Sequence, residues 1–277
     1  MPRSITSAGT RRPLLGLLLI VELIVAAALV GRPAAPAVAP APLTATPTAS
    51  AAASKTVTLA DGRTVELMSL GGPATQPLMD RVAAGMDDAA RAVTAFWGPD
   101  WQRNVVVVAS ASDEQFRALA GGGADIAAAT TGQRIVFAPG AAAMSDAALR
   151  IVLRHELFHF AARSETAADA PRWLTEGTAD FVARPQAERP GPVRAPALAN
   201  LPSDADLDTA GPTRTLAYDQ AWWFTRFVAD THRTAALRRL YTRACGPRHP
   251  DVETAVSETL GAPLGDVLAD WRHWLSG

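Results

Sequence analysis

The chain has 277 residues, 48% of them hydrophobic and 19% charged, with a formal net charge of −1. That balance suits one or two globular domains with a sizeable core and excludes an intrinsically disordered chain. The first 54 residues carry four arginines against one glutamate, so the remainder is net acidic, and no nucleic-acid partner is expected.

Residues 1–12 are basic and 13–30 are apolar, interrupted only by Glu22. As a helix the apolar run would span about 27 Å, close to the ~30 Å of a bilayer's hydrocarbon, and it predicts a transmembrane anchor. Cleavage as a signal segment is the alternative, because Glu22 costs about 2 to 3 kcal/mol at mid-membrane. The small-residue site Ala37-x-Ala39 is followed by Pro40, which would hinder cleavage. In both cases the flanking arginines stay cytoplasmic and the rest of the chain is extracytoplasmic, with the membrane as a partner through the N-terminal segment. Residues 31–54 read as a Pro/Ala/Thr-rich linker and 55–277 as the folded domain.

In that domain Asp61-Gly62 lies between two alternating segments, a hairpin signal. A helix is predicted over 76–96, a buried strand over 103–110, a short helix over 112–121 and a strand at "QRIVFAP", 133–139. The last of these is expected to be the sheet edge beside the next helix, free to take an extended peptide by strand addition. That helix starts at Ser145 as N-cap with Asp146 in its first turn. Asp146, Arg150 and Arg154 give it one polar stripe on an otherwise apolar surface.

The stretch "LRHELFHFAAR" sets His155, Glu156 and His159 in this helix. Burying such groups without partners costs roughly 2 to 7 kcal/mol each, so a partner is expected. Four-residue spacing projects both imidazoles from one face, as zinc requires of two ligands on one helix, with Glu156 beside them to take a proton from water. A third ligand comes from "PRWLTEGTADFVAR", a second helix opened by Pro171 that carries Glu176 and Asp180 four residues apart. Gly177 costs about 1 kcal/mol in a helix relative to alanine, which points to close approach of the two helices at a shared metal.

"HELFH" followed by "WLTEGTAD" resembles the gluzincin zinc metallopeptidases, in particular the peptidase MA-like family, over roughly residues 65–276. The resemblance implies an α+β, zincin-like fold: a small N-terminal sheet with helices, an active-site helix pair and a helical C-terminal half. It implies Zn2+ held by His155, His159 and Glu176, Glu156 as general base, Asp180 orienting a ligating histidine, and a peptide or protein substrate. Related enzymes recruit a tyrosine or histidine from the helical half to stabilise the oxyanion. Here that implies Tyr218 in "TLAYDQAWWFTRF", with His232 as the alternative, although aromatics at helical spacing also suit a core. "GAAAMSDAA" lacks the Gly-x-Met-x-Asn of the aminopeptidases, which favours endopeptidase action. The alternative function is a catalytically silent zincin-like domain that binds metal or a partner. The "RPGP" at 189–192 and the run 201–215 read as a long irregular insert, Cys245 as a buried, idle thiol, and His249 and His273 as surface residues.

Overall fold

The computed structural model describes residues 53–121 and 125–277. The predicted segments 1–12 and 13–30, and all but the last two residues of the linker 31–54, lie outside the described residues. Among the described residues no helix is long and apolar enough to cross a membrane.

A five-stranded sheet is built from β1 (Ala53–Thr58), β2 (Thr64–Ser69), β3 (Asn104–Ala109), β4 (Ala128–Thr130) and β5 (Ile135–Phe137), in the order β1-β2-β3-β5-β4. β1 and β2 form the predicted antiparallel hairpin, and its turn places Gly62 at φ 82°, a conformation that suits glycine. β2, β3 and β5 run parallel, and β4 returns antiparallel to β5. The valine run of β3 is buried on both faces. Val105 and Val107 join the main core, while Val108 meets Val136, Ala138 and Phe116 in a smaller cluster beneath α2 (Asp113–Ala120).

"QRIVFAP" is therefore an interior strand rather than the expected edge. The edge position belongs to β4, whose Ala-Ala-Thr sequence carries no strand signal of its own; its pairing of Ala128 with Phe137 and Thr130 with Ile135 makes it a strand.

The predicted helix over 76–96 is α1 (Gln76–Trp97), and it buries Leu78, Met79, Val82, Met86, Ala89, Ala90 and Val93 at helical spacing. It packs on α3 (Asp146–Ala162) so closely that a Cβ on Gly85 would lie 3.1 Å from Leu153 Cδ2. The polar stripe of α3 is paired across this contact: Arg154 donates to Asp88 at 2.7 Å and Asp146 accepts from Arg81 at 2.9 Å. Between the two histidines of α3, Phe158 is fully buried, with Phe96, Trp97 and Tyr241 edge-on at 5.8, 5.8 and 5.4 Å.

The remainder is helical: α4 (Arg172–Ala183), the short α5 (Ala195–Leu198) and α6 (Asp204–Asp208), the long α7 (Pro212–His232), then α8 (Thr234–Cys245), α9 (Val252–Leu260) and α10 (Leu264–Ser276). The expected irregular insert is more ordered than its composition suggests. Ser203 and Asp206 close a capping box at the start of α6, and Gly191 donates to Leu275 O at 3.2 Å, fastening the Pro/Gly stretch to α10. Trp222, Trp223, Phe224 and Phe227 of α7 are core, with Phe224 edge-on to Trp173 and Trp271 at 5.2 Å each.

Gly177 is the second departure. A Cβ there would stand 2.5 Å from Ala221 O, so the close approach is between α4 and α7, not between the two helices of the metal motif. Thr225 Oγ1 donates to Gly177 O at 2.9 Å across it. Cys245 is fully buried, and burial pushes its thiol up to about 12. His249 is not a surface residue: its side chain is only 15% exposed and lies 3.4 Å from Asp169.

Candidate metal centre

Ser145 Oγ accepts from Ala148 N at 3.2 Å and caps α3, which then runs without interruption through His155, Glu156 and His159. Arg163–Glu165 tighten into a 3-10 turn, and Ala167 N donates to Cys245 O at 2.7 Å, so the connection reverses against α8 before Pro171 opens α4. That reversal carries Glu176 over the histidine face.

The three side chains converge. His155 Nε2 lies 3.1 Å from Glu176 Oε2 and 3.1 Å from His159 Nε2, and His159 Nε2 lies 3.4 Å from the same carboxylate oxygen. A tetrahedral zinc with ligands at about 2.1 Å keeps neighbouring ligand atoms about 3.4 Å apart, so this near-equilateral triangle fits one ion. Two imidazole nitrogens facing each other at 3.1 Å can share only one proton, and a cation relieves that opposition better. Among the described residues this is the one cluster of three or more such side chains able to hold a metal.

Electrostatics follow from burial and mutual contact. Burial works against charge on His155, but Asp180 and Glu176 outweigh it and raise its pKa well above the ordinary value. Burial also opposes charge on Glu176, and His159 and His155 outweigh it, holding the carboxyl well below the usual carboxylate range. Metal binding to these side chains would compete with protons for the same nitrogen and oxygen atoms.

Behind the triad, His155 Nδ1 donates to Asp180 Oδ1 at 2.9 Å. Asp180 is buried and also pairs with Arg184 at 2.6 Å; Arg184 in turn donates to Asp219 of α7 at 2.7 Å. Arg184 escaped the sequence reading, although its four-residue spacing from Asp180 on α4 was a visible signal.

Glu156 is 8% exposed, and its Oε2 accepts from Thr130 Oγ1 at 2.7 Å. Thr130 comes from the edge strand β4, and no sequence signal distinguished it. Tyr218, half-buried on α7, has its ring 6.2 Å from that of His155 and lines the same cleft as Glu176. Burial and the negative charge of Glu176, Asp180 and Glu156 push its pKa well above the ordinary tyrosine value, so it remains an O–H donor. His232, the alternative, sits edge-on to Phe227 at 6.2 Å and does not line the cleft.

His155, Glu156, His159, Glu176, Thr130 and Tyr218 open onto one cleft of about 470 Å³. β4 forms one wall, and Arg163, Ala167, Ala168 and Tyr241 contribute to the remainder.

The eCIS core domain family matches residues 88–167, a span that runs from within α1 past the end of α3 and includes His155, Glu156 and His159. No curated protein is similar to the chain in sequence. Among solved structures, aminopeptidase A of Legionella pneumophila superposes with a TM-score of 0.50 at 15% identity, over 80% of this chain and 28% of that one. An M1 zinc metallopeptidase of Deinococcus radiodurans gives a TM-score of 0.45 at 16% identity, over 82% of this chain and 51% of that one. The chain thus spans between about a quarter and half of these proteins. The likeness to the Legionella enzyme establishes the fold: a zinc-metallopeptidase-like α+β domain with a small five-stranded sheet and a mostly helical remainder.

Proposed function

We propose that the protein is a zinc-dependent peptidase that cuts within peptide chains. The observation that carries this reading is the triangle of His155, His159 and Glu176 ligand atoms beside a buried carboxylate, Glu156, on the same cleft. Zinc bound by these three side chains would lower the pKa of a water towards about 7 and polarise the scissile carbonyl.

The chain's own groups supply the proton movements and the positioning. Glu156 takes a proton from the attacking water and passes it to the leaving amine. The Thr130 hydroxyl holds one oxygen of that carboxylate, which leaves the other for the proton. Tyr218 donates its O–H to the carbonyl oxygen as negative charge builds there. Asp180 holds the Nδ1–H of His155, fixing the tautomer that presents Nε2 to the metal. The free side of β4 offers backbone groups to an extended substrate.

Endopeptidase action is favoured over aminopeptidase action by the residues of the cleft. The two acidic side chains of the cleft serve in this reading as the general base, Glu156, and a metal ligand, Glu176, so neither is left to anchor a substrate's amino group. Neither β4 nor the stretch 140–148 carries Gly-x-Met-x-Asn. The basic and apolar pattern of residues 1–30 supports an extracytoplasmic, membrane-tethered location, with secretion after cleavage as the alternative.

The test is metal analysis of the purified protein together with cleavage of a peptide library. One zinc per chain and cleavage that disappears in Glu156→Gln, with the metal retained, are expected. Undiminished cleavage by Glu156→Gln would remove this mechanism.

A further inference from the structure

Two cations line the cleft, and they differ in what holds them. Arg172 is engaged by Asp208 through hydrogen bonds of 3.1 and 3.0 Å. The Arg163 side chain makes no hydrogen bond or ion pair among the described residues. Its Nη1 is buried without an acceptor, and its guanidinium lies over the Phe160 ring at 3.8 Å. The carboxylates of the cleft are committed elsewhere, and Asp169, on the same connection, turns to His249. Burial pushes the Arg163 pKa down, the direction expected of a cation that lacks a counter-charge.

A cation at the end of α3 favours the helix dipole, but a residue serving only that purpose extends its head into water. Arg163 instead lines the same cleft as the ligand triangle, with Ala167, Ala168 and Ala170 beside it, whose short side chains leave room for a ligand group. It stands four residues after His159, about 6 Å further along the helix axis. An extended peptide advances about 3.4 Å per residue. Resting on the peptidase reading, we infer that Arg163 is a specificity-determining residue that receives a carboxylate of the substrate within about two residues of the bond cut. The guanidinium fork matches a carboxylate in plane and spacing. An aspartate or glutamate side chain and a peptide's C-terminal carboxylate supply the same chemistry.

The test uses the full chain with zinc bound and a peptide in which one glutamate is walked along the sequence. Each peptide is paired with its glutamine counterpart, and each is made with a free and an amidated C-terminus. Cleavage is followed with the wild type, and equilibrium binding with Glu156→Gln, which leaves peptides intact. At one position the carboxylate member should be favoured about 10- to 100-fold in kcat/KM and in Kd. That ratio should fall towards one when Arg163→Gln is introduced and survive in part with Arg163→Lys, which keeps the charge without the fork. A preference that follows the glutamate assigns the site to acidic side chains; one that follows the free acid assigns it to the C-terminus. Cleavage indifferent to carboxylates, or a full preference in Arg163→Gln, overturns the inference and leaves the peptidase reading intact. Carboxylate-selective binding without cleavage supports the inference and removes the peptidase reading. Absence of both binding and cleavage overturns the two together.

Discussion

Tyr218 sits among the core aromatics of α7 in sequence, yet it alone of Tyr218, Trp222, Trp223, Phe224 and Phe227 faces the cleft. Loss of its hydroxyl should therefore act on the reaction more than on the fold. Tyr218→Phe is expected to lower kcat by ~10²- to 10³-fold with little change in KM, as for a donor engaged mainly in the transition state. Steady-state kinetics with urea unfolding separates this from a core role, in which stability falls and specific activity holds. Asp180 makes a different prediction. Asp180→Asn keeps the shape but weakens the acceptor for His155 Nδ1–H, and zinc affinity in a competitive chelator titration should fall ~10- to 100-fold while the fold persists. An unchanged affinity would leave Asp180 as a partner of Arg184 alone.

The individual elements explain what the sequence disclosed. His155, Glu156 and His159 were readable because their relation is carried by one helix, and Glu176 with Asp180 because a second helix repeats the spacing. Thr130 was not readable. Its strand is three residues long and owes its existence to pairing with β5, so its place beside Glu156 is a tertiary fact. Arg163 was equally hidden, because a cation without a partner looks in sequence like any helix-terminal arginine. Gly177 announced a constraint correctly but suggested the wrong neighbour. A mid-helix glycine says that something is close, and it does not say what. Here the neighbour is the backbone of α7. Replacing this glycine with alanine would ordinarily stabilise a helix by about 1 kcal/mol. Against Ala221 O at 2.5 Å, however, the added methyl must push the two helices apart. Gly177→Ala should thus destabilise the protein by about 1 to 3 kcal/mol. A rise in its denaturant midpoint would show that α4 and α7 are not so closely packed.

Across the whole molecule, the site is assembled from both halves of the chain. β4 and α3 contribute Thr130, Glu156 and the histidines, α4 contributes Glu176, and α7 contributes Tyr218. The hairpin, the valine strand and the long helices were legible because local pattern and burial agree, whereas the edge strand and the capped α6 depend on neighbours that no window of sequence contains. Between the halves lies Arg184, in contact with Asp180 on one side and Asp219 on the other. Asp219 is the residue after Tyr218, so one guanidinium joins the support of a metal-facing histidine to the helix that positions the phenol. Such a connection can couple the two ends, and linkage makes any coupling reciprocal: whatever factor zinc adds to the affinity of a ligand held by Tyr218, that ligand must add to the affinity for zinc. Replacing Arg184 with glutamine should shrink both factors equally, as measured by titrating each partner in the presence and absence of the other. Metal affinity in this protein would then be an adjustable quantity, rising when the cleft is filled and relaxing when it empties.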